Sequence, residues 1–261
     1  MFSKYIHTAK LSIQNQIVYR FNITVFALKE VIVAFALIIF WHAVYQDGFT
    51  LGNFSFHSLV VYYLTVALMQ LASSEGIAWN LIEDIQEGNI LNFILKPLQS
   101  IWFFLARTIG GKIGQSFFLW PLLGFIFIGF WYFHLVTMLS IVAFFLFFIL
   151  ALLLSYFTYF LIAIIAFYTE SSWAFILFWH FISSFLGGAF LPLDAFPLWL
   201  QHLSAFLPFQ YLFYVPARFL AGDFENFWFA LLIVFAWISI FALLSKFLWH
   251  IGIKSYEAYG R

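Results

Sequence analysis

Long apolar stretches are the feature that most limits what this chain can fold into. A helix needs about 20 mostly apolar residues to cross a bilayer, because each residue adds ~1.5 Å and the hydrocarbon core is ~30 Å thick. Six stretches of the sequence meet this requirement, at 22–45, 57–78, 103–130, 138–167, 172–191 and 226–250. We therefore predict an all-α membrane protein with six transmembrane helices, forming a single domain over residues 1–261.

Charged side chains are too few to cover a surface in water. Only 8% of the 261 residues are charged and 65% are hydrophobic, whereas soluble domains carry roughly 25% charged residues. The net charge is zero, so no basic field for nucleic acid is expected. The sequence has no cysteine, which excludes disulfides, thiolate metal sites and cysteine nucleophiles.

The positions of Lys and Arg predict the orientation of the spans. If the N-terminus is inside, only Arg218 falls on the outer side, and Lys29 lies within the first span. The basic residues on or near the inner side are Lys4, Lys10, Arg20, Lys96, Arg107, Lys112, Lys246, Lys254 and Arg261. This asymmetry predicts that both termini are cytoplasmic.

Residues 1–20 have an apolar stripe at helical spacing. The stripe consists of Phe2, Ile6, Ala9, Ile13 and Ile17, and polar residues occupy the rest of the helix. We expect an amphipathic helix that lies in the membrane interface before the first span. The alternative is a simple lead-in to that span, whose lysines extend towards water.

The connection at 80–100 alternates acidic and apolar residues at helical spacing. Glu83, Asp84 and Glu87 supply the acidic groups, Gly88 is a predicted helix break and Pro97 a predicted stop. This pattern predicts a short surface helix on the cytoplasmic side, followed by a turn.

The connection at 191–222 holds four of the six prolines. Asp194 is expected to cap a helix that carries Pro197 in its first turn. Pro208 then separates this helix from a second one that ends at Gly222. The segment is too apolar for a solvated loop and too broken for a span, so it predicts a re-entrant pair of short helices in the outer leaflet.

The segment Gly110-Gly111-Lys112 resembles a phosphate loop only superficially. A phosphate-binding loop needs a glycine where Ala106 stands and a Ser or Thr where Ile113 stands. We therefore expect no nucleotide binding by this chain, and no catalytic or metal-binding motif is present in the sequence. Energy for transport must come from a partner subunit or an ion gradient.

Ionisable residues within the predicted spans argue against ion-driven transport. Glu30, Glu75 and Glu170 lie towards the cytoplasmic ends of helices, whereas ion-coupled transporters place carboxylates near the midplane. His180 lies mid-span, where it serves either a functional role or hydrogen-bonded packing. These positions favour transport that is driven by a partner subunit instead of an ion gradient.

Three stretches of the sequence resemble a known family, and so does the order of the predicted elements. They are 83–99 with Ala106-Arg107 and Gly110-Gly111-Lys112, the outer segment 191–217, and the tail 252–261. The chain resembles the permease subunits of type-2 ABC exporters, in a bacterial subfamily long described only as a domain of unknown function. The resemblance covers nearly the whole chain.

The resemblance implies partners and a location. Two permeases, of the same or a related sequence, pair in the bacterial plasma (inner) membrane, and separate ABC ATPase subunits bind ATP and Mg²⁺, so that this chain needs no cofactor and is not itself an enzyme. The segment at 80–100 is then the coupling helix, and the N-terminal helix adds a second ATPase contact. The implied coupling residues are Glu83, Asp84, Gln86, Glu87, Gly88, Lys96 and Pro97.

In this family the substrate path follows the permease interface along the first, second and fifth spans. The resemblance thus points to a small amphiphilic, drug-like or lipid-like substrate and to a set of polar pathway residues. These are Tyr62, Thr65, Gln70, His180, Ser183 and Ser184. Packing of helices through small residues explains the same pattern equally well.

Two other functions are compatible with the composition. An intramembrane lipid-modifying enzyme would need convergent polar residues at one depth, and the sequence offers no convincing set. A non-transporting scaffold would not need an acidic cytoplasmic helix together with a re-entrant outer pair.

Overall fold

The structure, a computed structural model, describes residues 2–18, 20–51, 54–94, 99–132 and 136–256, and it contains no β-strand among them. The predicted all-helical class is confirmed. The helices are α1 (Phe2–Val18), α2 (Arg20–Gln46), α3 (Phe56–Ala72), α4 (Glu75–Gln86), α5 (Leu91–Ile94), α6 (Ser100–Tyr132), α7 (Met138–Ile164), α8 (Trp173–Leu186), α9 (Leu198–Phe206), α10 (Tyr214–Leu220) and α11 (Phe227–Ser255).

Four helical stretches of the described residues are long and apolar enough to cross a membrane. They are Ile23–Gln46, Phe56–Gln86, Met138–Phe167 and Phe227–Lys254. Helix α6 has 33 residues, which is about 50 Å of helix. The predicted count of six spans stays a prediction.

Helix α8 is shorter than the predicted stretch 172–191. It has 14 residues, about 21 Å of helix, because two glycines end it. Gly188 has φ +85°, a left-handed conformation that a side chain disfavours. A Cβ on Gly187 would lie 2.7 Å from the carbonyl oxygen of Phe209, so the returning outer segment packs directly against this turn.

The predicted N-terminal helix is present as α1, and it packs along the first half of α6. Two glycines of α6 permit the close approach. A Cβ on Gly110 would overlap the backbone of Ala9, and a Cβ on Gly114 would lie 2.8 Å from the Cβ of Gln16. Gly110, part of the segment that superficially resembles a phosphate loop, thus forms with Gly114 a groove for a neighbouring helix.

Helix α4 begins earlier than the predicted surface helix and is bound to α6 and to the end of α11. The guanidinium of Arg107 on α6 forms an ion pair with the carboxylate of Asp84, at 2.9 Å. The hydroxyl of Tyr256 donates a hydrogen bond to the carbonyl of Ile85, at 2.9 Å, and burial raises the pKa of Tyr256.

The predicted break after α4 is confirmed. Gly88 has φ +82° and follows directly on the helix end. Lys96 and the predicted stop Pro97 lie outside the described residues.

The outer segment contains the two predicted short helices, α9 and α10. One detail of the prediction is wrong: no side chain caps α9, and Pro197 occupies the N-cap position. The carboxylate of Asp194 instead accepts a hydrogen bond from the hydroxyl of Tyr214, at 2.7 Å. This bond joins the start of the outer segment to α10. Local capping rules do not predict the bond, because its two residues are 20 positions apart.

Replacement of Gly110 by alanine should destabilise the protein. The added methyl group forces α1 away from α6, and overpacking of this kind typically costs about 1–3 kcal/mol. Gly76→Ala is the matched control, because a Cβ there meets nothing within 4 Å and alanine is the better helix former by about 1 kcal/mol. Thermal unfolding in detergent measures both. Equal unfolding midpoints for wild type and Gly110→Ala would contradict the close packing of α1.

Candidate functional site

A cleft between α2, α3 and the end of α8 combines apolar walls with a few polar groups. It encloses about 180 Å³. Val33, Val66 and Phe190 are among its apolar wall residues. Its polar lining consists of Lys29, Glu30, Gln70 and His180.

Lys29 and Glu30 neutralise each other at the edge of this cleft. The ammonium of Lys29 lies 2.7 Å from the carboxylate of Glu30, and the two side chains are 55% and 14% exposed. The cleft therefore gains hydrogen-bonding capacity from this pair without a net charge.

His180 connects the cleft to helix α4. Its Nδ1 lies 3.2 Å from a carboxylate oxygen of Glu75, the first residue of α4. The indole N–H of Trp79 donates to the other carboxylate oxygen, at 3.0 Å. No sequence pattern predicts this contact, since His180 and Glu75 belong to distant segments without a shared motif.

The six predicted pathway residues fall into two groups. Gln70 and His180 line the cleft, and the amide of Gln70 donates a hydrogen bond to the hydroxyl of the buried Ser184, at 3.4 Å. These three residues are brought together.

The other three residues are buried within the chain itself. The hydroxyl of Tyr62 donates to the carbonyl of Gly188, at 2.6 Å. The hydroxyls of Thr65 and Ser183 donate to backbone carbonyls within their own helices. Their contact with a substrate stays a prediction, and of the three only Tyr62 forms a bond between α3 and the turn after α8.

The outer wall of the cleft is fixed by a chain of aromatic hydrogen bonds. The indole N–H of Trp41 on α2 donates to the hydroxyl of Tyr63 on α3, at 2.6 Å. That hydroxyl donates in turn to the carbonyl of Phe190, just after α8, at 3.3 Å. Hydrogen bonds therefore join α2, α3 and the segment after α8 at one level of the cleft.

The acidic groups of α4 lie at its C-terminal end, whereas Glu75 at its start contacts the cleft. Glu83, Gln86 and Glu87 are exposed, whereas Asp84 is half-buried against Arg107. The amide of Gln86 also donates to the carbonyl of Glu170, at 2.7 Å. Of the predicted coupling residues, Asp84 therefore holds the helix in place, and Glu83 and Glu87 are the acidic groups available to a partner.

The described residues offer no cluster of three or more His, Asp or Glu side chains that could hold a metal ion. In the cleft, Lys29 is paired with Glu30, and His180 contacts Glu75 of α4. The arrangement can bind a small molecule, and it can transmit a displacement of α4 to the cleft through Glu75 and His180.

Comparison with known proteins identifies the chain's family. A family model described as "ABC-2 family transporter protein" matches residues 31–260. No curated protein and no solved structure matches the chain.

The Glu75–His180 contact should appear as coupling between two substitutions. Glu75→Gln and His180→Ala each remove it, so the double variant should unfold at a midpoint higher than the sum of the two single effects predicts. Residues in contact typically couple by about 0.5–3 kcal/mol. Thermal unfolding in detergent measures the effect.

Glu75→Gln combined with His202→Ala is the control, because His202 is exposed on α9. This second pair should be additive. Additivity of Glu75→Gln with His180→Ala would show that α4 and α8 are not coupled through these side chains.

Proposed function

Because the chain belongs to the ABC-2 family of transporter proteins, we propose that it is the transmembrane subunit of an ATP-driven exporter. It pairs with a second permease, of the same or a related sequence, and with separate cytoplasmic ATPases that bind ATP and Mg²⁺. The chain itself supplies the membrane path and the surfaces that receive the motion of the ATPase.

The observation that carries the proposal is the position of α4 between two surfaces. Its last turns present Glu83 and Glu87 to solvent, and its first residue, Glu75, contacts His180 in the cleft. The helix has 12 residues, about 18 Å in length. A displacement of the acidic end therefore reaches the cleft through one rigid element.

The acidic end of α4 has the chemistry to bind a basic groove of an ATPase. Carboxylates on an exposed helix form charge-assisted hydrogen bonds with Arg and Lys. Since Asp84 anchors α4 to Arg107 at 2.9 Å, a force on the exposed face is also transmitted to α6. Helix α1, which packs on the same half of α6, provides the second ATPase contact.

The cleft suits a small amphiphilic, drug-like or lipid-like substrate. Small-molecule sites are mostly apolar with a few polar groups that fix orientation, and this cleft has that composition. Helix α2 exposes large apolar side chains beside the cleft, including Phe26 and Ile32. This surface supports pairing with a second permease, which would complete the path.

The proposed location is the bacterial plasma membrane, with both termini in the cytoplasm. Arg218, the basic residue predicted to lie outside, is neutralised by Asp223 at 2.6 Å and by Glu225 at 3.1 Å. The proposed orientation depends on the distribution of Lys and Arg, in which Arg218 is the one basic residue predicted on the outer side.

A cysteine in place of Trp199 should be labelled by a membrane-impermeant thiol reagent in intact cells. Trp199 lies on α9 and is 67% exposed, and the chain has no cysteine of its own. Glu83→Cys is the control and should react only after permeabilisation. The reverse pattern of labelling would invert the proposed topology.

Charge reversal on the exposed face of α4 should release the ATPase. Glu83→Lys with Glu87→Lys replaces attraction to a basic groove by repulsion, so co-purification of the ATPase should fall about tenfold or more. Asp47→Lys, at an exposed site after α2, is the control and should retain the ATPase.

Asp84→Lys distinguishes anchoring from docking. It breaks a half-buried ion pair and should lower the unfolding midpoint, which the double reversal leaves unchanged. Normal recovery of ATPase with the folded double variant would refute the coupling role of α4.

A further inference from the structure

Two cavities adjoin on α6, away from the cleft. An apolar groove of about 270 Å³ lies between α3, α6 and α7. A polar cavity of about 370 Å³ lies between α1, α4 and α6. Both are lined by Ser74, Thr108, Lys112 and Gln115, so the two cavities meet at these residues.

The groove has the character of a site for a hydrocarbon chain. Its walls include Leu68, Leu152 and Phe148. Ile109 and Ile113 of α6, which also line it, are 46% and 43% exposed. Large apolar side chains at an open groove indicate that an apolar partner covers them.

The charged side chains that line the polar cavity are all basic. Two basic side chains, Arg107 and Lys112, line it, and no acidic side chain is among its lining residues. Arg107 is already paired with Asp84, at 2.9 Å. Lys112 forms no ion pair with any described residue.

The ammonium of Lys112 is held at the boundary of the two cavities with hydrogen-bonding capacity to spare. It donates to the carbonyl of Leu71, at 3.3 Å, and to the amide oxygen of Gln115, at 3.0 Å. An ammonium group has three donors, so one is available for a ligand. Glu75 acts on Lys112 only at longer range, and its two carboxylate oxygens are bound by His180 and Trp79.

The position of Lys112 along α6 matches the level of lipid headgroups. The helix ends at Tyr132, so residues 113–132 provide about 20 residues, or about 30 Å, which is the thickness of the hydrocarbon core. The first turn of α4, with Gly76, faces the same polar cavity, and the start of a helix favours an anion.

We propose that this protein binds an anionic phospholipid here, with the phosphate at Lys112 and one acyl chain in the groove between α3, α6 and α7. The ammonium of Lys112, which forms no ion pair with a described residue, favours a ligand with net negative charge, and the groove selects for a chain that free phosphate lacks. This site is separate from the proposed substrate cleft and does not depend on coupling to an ATPase.

Native mass spectrometry of the purified protein in detergent tests the proposal. Phosphatidylglycerol and phosphatidylcholine with the same acyl chains are titrated separately, with and without inorganic phosphate. Wild type should bind phosphatidylglycerol about tenfold more tightly, and Lys112→Gln should reduce it to the level of phosphatidylcholine. Lys10→Gln, at an exposed position on α1 outside both cavities, is the matched control and should bind as wild type does.

Two further variants keep the test decisive if Lys112→Gln fails to fold. Lys112→Arg retains the charge and should retain the preference for phosphatidylglycerol. Ile109→Trp fills the groove and should weaken both lipids. Equal binding of the two lipids by wild type, unchanged binding by folded Lys112→Gln or by Ile109→Trp, or displacement of phosphatidylglycerol by inorganic phosphate would each overturn the proposal.

Discussion

The attachment of two polar helices to the first half of α6 is the interaction on which the rest of the structure depends. A chain with so little charge must still present a surface to water on one side of the membrane. It does so by packing α1 into the glycine groove at Gly110 and Gly114 and by joining α4 through the Arg107–Asp84 ion pair. Close backbone packing and a half-buried charge pair both fix orientation, because neither tolerates sliding. The result is a packed unit of α1, α4 and the first half of α6, on which Glu83 and Glu87 are exposed.

Helix α4 of this unit connects the cleft with the exposed acidic groups at the other end of the helix. Helices α2 and α3 meet through Trp41 and Tyr63 at one level of the cleft, and α4 reaches the cleft through Glu75 and His180. Lys29 and Glu30 form one charge pair at the cleft, and His180 contacts Glu75 of α4. The chain belongs to a family of transporter proteins, and its acidic helix α4 contacts the cleft. Both agree with the proposal that energy comes from a separate subunit.

The sequence predicted those features that depend on local rules. Apolar stretches identified the four long apolar helical stretches, Gly88 identified the break after α4, and the prolines identified the two short outer helices. The stretch 57–78 overran the break between α3 and α4, and 172–191 overran the end of α8. It could not predict contacts between distant segments. Asp194 bonds to Tyr214 instead of capping α9, and Glu75 reaches His180, because tertiary packing decides between competing partners. The packing of Gly110 against Ala9 likewise depends on the position of α1, which the sequence pattern did not reveal.

The central claim is that ATP changes access to the cleft between α2, α3 and α8. Val33 lines this cleft and is 41% exposed, and Val33→Cys provides a single reactive thiol in a chain without cysteine. Labelling by a membrane-impermeant reagent is measured from each face of the membrane, in the complex with its ATPase, without nucleotide and after trapping with ATP and vanadate. The account predicts labelling from one face without nucleotide and from the opposite face in the trapped state. Identical labelling in both states would contradict it.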